Sequence, residues 1–154
     1  MTRLLENKNA IVYGAGGGIG GGVARTFAKE GAKVFLVGRT RQSLDKVAAD
    51  IKAEGGAAEV GVLDALDEHA VDEHVGHVAK AGSVDVSFNL ITRGDVQQIP
   101  LVEMTATDLM RAVTNGLTSN FITARAAARD SYRKAARMTA SIPEQRYLAL
   151  KAAR

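Results

Sequence analysis

Seven glycines crowd into residues 14–22 (GAGGGIGGG), directly behind a short apolar run at residues 10–13 (AIVY). Ahead of them Ile19, Val23 and Phe27 recur at helical spacing, and Gly31 supplies a stop. The junction reads as strand, tight turn, then a helix over residues 18–30. In that arrangement the unpaired N–H groups and positive dipole end of the helix face the space beyond the strand, where linked phosphates can be held without a charged side chain. Two registers fit: Gly16-x-Gly18-x-x-Gly21 and Gly14-x-x-x-Gly18-x-Gly20. The second is preferred, because Tyr13 closes the strand and Gly14 then turns the chain straight off it.

The alternation continues. Residues 33–38 (KVFLVG) are β-branched and aromatic enough for a buried strand, and Leu44, Val47, Ala48 and Ile51 mark an amphipathic helix ended by Gly55 and Gly56. Residues 58–63 read as a third strand, 67–81 as a third helix and 84–90 (VDVSFNL) as a fourth strand. Strands joined by helical crossovers cannot pair as hairpins, so the sheet is parallel, with right-handed connections and helices on both faces. From about Thr105 to Met138 the chain reads as one long helix or two abutting ones, with Leu109, Val113, Leu117 and Phe121 along one side. Ser141 and Glu144 resemble a capping box around Pro143 at the start of a last short helix. The expectation is a Rossmann-type α/β domain over residues 1–154, a doubly wound parallel sheet of order 3-2-1-4. A long C-terminal helical section ends in a divergent basic tail at residues 131–154.

Composition narrows the chemistry. With no cysteine among 154 residues, disulfide scaffolds, thiolate zinc sites and cysteine nucleophiles are excluded. No apolar run approaches the roughly 18–20 residues of a membrane helix, and residues 1–9 lack the apolar stretch of a signal peptide. A cytoplasmic location without membrane contact is expected. The net charge of +3 hides an asymmetry, since residues 121–154 carry 8 Lys/Arg against 2 Asp/Glu and are +6, leaving −3 for the remainder. Arg125, Arg129, Arg133 and Arg137 recur every four positions, as on a solvated helix face, and without interleaved aromatics nucleic acid is not expected. His69, His74 and His77 share one helix with acidic residues and read as a polar face; no metal site is expected.

About 20 residues past the glycines, a ribose-binding carboxylate would mark NAD. The chain instead has Gly38-Arg39-Thr40-Arg41. An arginine attracts a 2′-phosphate through charge-assisted bonds, so NADP is favoured over NAD, with Arg39 the residue that decides it.

The motif Gly14-x-x-x-Gly18-Ile19-Gly20 resembles that of the short-chain dehydrogenase/reductase family, and the resemblance, which spans roughly residues 7–130, implies a truncated form of that family's Rossmann-type fold. It implies that Gly14, Gly16, Gly18, Ile19 and Gly20 cradle the cofactor and that Asp64 bonds its adenine. It places Asn89 at the fourth strand's end, where the family's Asn-Asn-Ala-Gly is replaced by Asn89-Leu90-Ile91-Thr92, crowding the path of the sugar and nicotinamide. The long helix resembles the family's dimerisation helix, implying a homo-oligomer. It should carry an asparagine of the proton relay; Asn115 is near, although alignment on Phe121 and Ala127 puts Gly116 there. A Tyr147-x-x-x-Lys151 pair matches the catalytic spacing, and on a helix the lysine could lower the tyrosine pKa for proton exchange with a carbonyl or alcohol oxygen. No apolar strand precedes it. Three functions follow: an NADP-dependent oxidoreductase moving a hydride between nicotinamide and a small carbonyl or alcohol, a cofactor-binding but inactive remnant, or an interaction module with a basic helix.

Overall fold

The computed structural model describes residues 3–91, 94, 98–139 and 141–153. Thr92, the last residue of the fourth-strand element, lies outside them. Four strands, β1 (Asn9–Tyr13), β2 (Lys33–Gly38), β3 (Ala57–Val62) and β4 (Val86–Asn89), form one parallel sheet of order β3-β2-β1-β4. Ile11 stands opposite Phe35 on one side and Ser87 on the other. The helices are α1 (Gly18–Lys29), α2 (Arg41–Ala53), α3 (Glu68–Lys80), α4 (Ala106–Met138) and α5 (Ile142–Ala153). The expected doubly wound sheet and its order are therefore present.

Side chains of a strand alternate between faces, so each buried strand feeds two cores. Ala10, Val12, Val34 and Leu36 pack against Ala24 and Ala28 of α1 and Leu44, Val47 and Ile51 of α2. Ile11, Tyr13, Phe35 and Val37 pack on the other face against Val71, Val75 and Val78 of α3 and Ile122 and Ala126 of α4. Truncating any of the fully buried large residues, Leu44 or Ile51 for example, would cost about 2–5 kcal/mol.

Helix α4 is one continuous element of 33 residues, about 50 Å long. It starts in a reciprocal cap: Thr105 Oγ1 accepts the Asp108 N–H at 3.2 Å, and the Asp108 carboxylate accepts the Thr105 N–H at 3.2 Å. Its buried residues are Gly116, Ser119, Ile122, Thr123, Ala126 and Asp130, so small and hydroxyl-bearing side chains face the sheet. The large apolar stripe faces outward, with Leu117 69% and Phe121 62% exposed. Towards its end, the Asp130 carboxylate accepts the Val84 N–H at 2.9 Å, and Lys134 reaches Ser83 at 2.8 Å. Both partners precede β4, so α4 runs from the carboxyl edge of the sheet to its amino edge.

Three expectations about polar surfaces need correction. Arg125 and Arg129 are not on a solvated face: each side chain is 23% exposed, Arg125 pairs with Glu68 and Arg129 with Asp72 at 2.7 Å, tying α4 to α3. Of the three histidines only His74 leaves the polar face, packing edge-to-face with Phe35 at a centroid distance of 6.3 Å, while His69 and His77 stay exposed and His77 meets Glu59 at 2.5 Å. At the start of α5, the Glu144 carboxylate accepts the Thr139 hydroxyl at 2.7 Å rather than closing a box on Ser141. Among the described residues no cluster could hold a metal ion, and no helix is long and apolar enough to cross a membrane.

Candidate cofactor site

At the carboxyl edge, β1 ends in a corner assembled from three strands. Both the Gly14 and Ala15 N–H groups donate to the Val37 carbonyl of β2, at 2.8 and 3.1 Å. On the opposite side, a Cβ on Gly14 would lie 2.3 Å from the Leu90 carbonyl oxygen, and Gly14 has φ +81°. A side chain there is excluded by sterics and by backbone conformation together.

The remaining glycines divide by what surrounds them. A Cβ on Gly20 would stand 2.2 Å from the Gly14 carbonyl, so the first turn of α1 rests on the corner it leaves. Gly16 faces Ser43 Oγ, 2.3 Å from its would-be Cβ, and Gly21 faces Val47 at 3.2 Å, so these two seat α1 and its loop against α2. Both sequence registers thus have structural work, Gly14 and Gly20 in the turn and Gly16 and Gly21 in helix packing. Gly18 and Gly22 differ: nothing stands within 4 Å of where a Cβ on either would be, and Gly18 is the one that opens α1. Nothing in the protein requires a glycine there, while a ligand laid against the backbone would.

The start of α1 is bare in every other way. Its N-cap, Gly17, has no side-chain cap, and no acidic residue occupies the first turn. Ile19 projects into solvent, 72% exposed. Unsatisfied N–H donors and the positive end of the helix dipole therefore converge on open space, which suits the charge and shape of a pyrophosphate. The start of α2 is similar, since its N-cap Thr40 makes no side-chain cap and its first turn carries no acid.

The flanking residues gather along the same edge. Arg39, at the end of β2, is 76% exposed in its side chain, and Nη1 lies 3.9 Å from Asp64 Oδ2 after β3. Asp64 Oδ1 accepts the Leu66 N–H at 3.0 Å, while Asp67 caps α3 by accepting the Ala70 N–H at 3.0 Å. Asp64 is thereby left at the edge rather than spent on the helix. Arg41 turns instead to Asp45, 3.8 Å away on its own helix. Asn89 ends β4 with two bonds, donating to Thr123 Oγ1 at 3.2 Å and accepting the Ile91 N–H at 3.0 Å, and so fastens the strand end to α4.

The three residues considered for catalysis are not brought together. Asn115 is half-buried on α4, with its amide 3.4 Å from a would-be Cβ on Gly94, while Gly116 beside it is the residue buried against the sheet. Tyr147 and Lys151 do share a face of α5, the ammonium 5.6 Å from the ring centroid. Yet α5 packs along α4, and Gln145 at its start bonds Thr139, beyond the stretch of α4 that reaches the amino edge of the sheet. The pair is thus on the far part of α4 from the glycine corner, with Tyr147 58% exposed.

Sequence reasoning missed Ser43, Thr123 and the carbonyls of Val37 and Leu90. Thr123 had a signal: Gly116, Ser119, Thr123 and Ala126 follow helical spacing as a strip of small residues, the kind of face that lets a helix approach a sheet closely. The larger apolar stripe drew attention away from it.

Comparison with known proteins matches this geometry. A family profile described as short chain dehydrogenase covers residues 8–139. Gluconate 5-dehydrogenase of Gluconobacter oxydans is 32% identical over 126 residues, which are 81% of this chain and 48% of that protein. The 2,3-dihydro-2,3-dihydroxybenzoate dehydrogenase of Bacillus subtilis is 38% identical over 87 residues, 56% of this chain and 33% of that one. Among solved structures, a metagenomic short-chain oxidoreductase in complex with NADP superposes with a TM-score of 0.74 at 30% identity, covering 84% of this chain and 59% of that one. A dehydrogenase/reductase from Sinorhizobium meliloti gives 0.74 at 28% identity, over 84% and 51%. The chain spans about half or less of the length of these curated relatives.

Proposed function

Because the chain belongs to the short chain dehydrogenase family, we propose that its glycine corner binds a nicotinamide dinucleotide, NADP in preference to NAD. In this reading the protein serves hydride exchange with a small carbonyl or alcohol. The observation that carries it is the open space before Gly18, at a helix start with neither cap nor acid, beside a strand end that carries Arg39. The bound cofactor would supply the hydride acceptor or donor on its nicotinamide ring.

The chain's own groups then have distinct tasks. Backbone N–H groups of Gly18, Ile19 and Gly20 hold the pyrophosphate, with Gly14 and Gly16 shaping the loop beneath. Arg39 and the uncapped start of α2 hold the 2′-phosphate, since a guanidinium and free N–H donors both favour a doubly charged oxyanion. Asp64 accepts from the adenine amine. Asn89, through Thr123, fixes the strand end along which the cofactor's sugar passes. The exposed stripe of Leu109, Val113, Leu117 and Phe121 is covered by a second copy of the chain, which removes it from water.

A second reading, cofactor binding without turnover, is favoured by one observation: Tyr147 and Lys151 lie along the far part of α4 and not at the corner. Titration with NADPH and NADH, followed by a panel of carbonyl substrates on the same sample, separates the readings. Tight NADPH binding with turnover supports the oxidoreductase, and binding without turnover supports the silent form. Absence of binding to either nucleotide overturns both.

A further inference from the structure

The basic end of the molecule carries a feature that dinucleotide binding does not use. Among the described residues, every arginine from Arg25 to Arg129 is paired with a carboxylate, including Arg25 with Asp50 at 2.6 Å and Arg129 with Asp72 at 2.7 Å. Arg133, Arg137 and Arg146 have no carboxylate partner there. Glu144, the one acid in residues 131–153, is occupied by the Thr139 hydroxyl. On α4 the arginines that face α3 are thus matched by its acids, whereas Arg133 and Arg137 further along, and Arg146 on α5, are left without a counter-charge.

Two of these cations frame a defined shape. Arg133 and Arg137, one turn apart on α4, border a groove of about 430 Å³ between α4 and α5. Its walls include Ala136, Ala149 and Gln145, and the buried Ala152 lies in its floor. Alanines let a further helix approach towards the short end of the usual 8–10 Å between axes. The i, i+4 spacing of the arginines matches carboxylates placed four apart on a facing helix.

We propose that this groove docks an acidic amphipathic helix of a partner protein, with carboxylates at i and i+4 meeting Arg133 and Arg137 and small apolar residues lying on the alanines. A nucleic-acid strand would leave the alanine walls unmatched, for they offer no ring on which a base could stack. A lipid surface, being flat, would not enter a concavity between two helices.

The test uses the full chain and a labelled helical peptide with glutamates at i and i+4 on an alanine face, followed by fluorescence anisotropy. A scrambled peptide of equal composition, a 20-base-pair DNA duplex and phosphatidylserine vesicles serve as competitors. Expected are affinity at least tenfold above the scrambled peptide, loss of that margin in the R133E/R137E double variant, and its return when the peptide's glutamates become lysines. An unchanged far-ultraviolet circular dichroism spectrum and melting temperature show that the variant is folded. The proposal is overturned by equal binding of the scrambled peptide, by tighter binding of the duplex or vesicles, or by a change in self-association on charge reversal, which would make a second copy the occupant.

Discussion

The carbonyl oxygen of Gly14 lies 2.2 Å from where a Cβ on Gly20 would be, whereas a Cβ on Gly18, two residues earlier, would meet nothing within 4 Å. One glycine is demanded by the protein's own backbone. The other is left to whatever binds in front of it.

That contrast sets the first prediction. Gly20→Ala forces the backbone of the corner apart and lowers stability by about 1–3 kcal/mol, read as a fall in melting temperature. Gly18→Ala leaves the melting temperature unchanged or slightly raised, because alanine is the better helix former, while weakening NADPH binding at least tenfold in a fluorescence titration. A G18A variant with full NADPH affinity would remove the phosphate assignment.

Arg39 is 76% exposed and only loosely held by Asp64, so its charge is available to a ligand. Arg39→Asp is expected to weaken NADPH binding by tenfold or more and to leave NADH binding within about threefold. Equal losses for both nucleotides would show that the side chain does not read the 2′-phosphate.

Stability should fall with acid over a defined window. Burial lowers the pKa of His74 from 6.5 to about 4, with the neighbouring His77 acting in the same direction and Glu59 opposing them. The unfolded chain takes up this proton near pH 6.5 and the folded chain only near 4, so stability is full above that window and declines as pH falls through it, by about 2–3 kcal/mol. His74→Leu, which keeps an apolar group against Phe35, should flatten the decline in urea midpoints measured between pH 7 and pH 4. An unchanged slope would place the acid sensitivity elsewhere.

The outward stripe of α4 predicts association. Leu117→Asp together with Phe121→Asp puts charge on residues that are 69% and 62% exposed in the single chain, so the fold should persist by circular dichroism. In sedimentation the variant should run as a monomer at concentrations where the parent associates. A parent chain that is itself monomeric would contradict the proposal.

Much of the fold was legible because its signals are local. Four apolar runs, the helical stripes between them and a glycine-filled junction each occupy fewer than about twenty consecutive residues, and the rules for parallel crossovers then leave few arrangements. Asp67 as the cap of α3 could also be read directly. The second core was harder to see, since His74 lies in a charged run and its burial depends on Phe35 from another strand.

The succession of strands and helices and the glycine-filled junction followed from residues that interact with near neighbours in the chain, where helix period and backbone sterics act without outside help. Which side of α4 meets the sheet, the pairing of Arg125 and Arg129 with α3, and the separation of Tyr147 and Lys151 from the corner were settled by folding. Each depends on contacts between distant segments. Burying small residues brought α4 close enough for Thr123 to reach Asn89, and it left the larger stripe on the outer side of the helix.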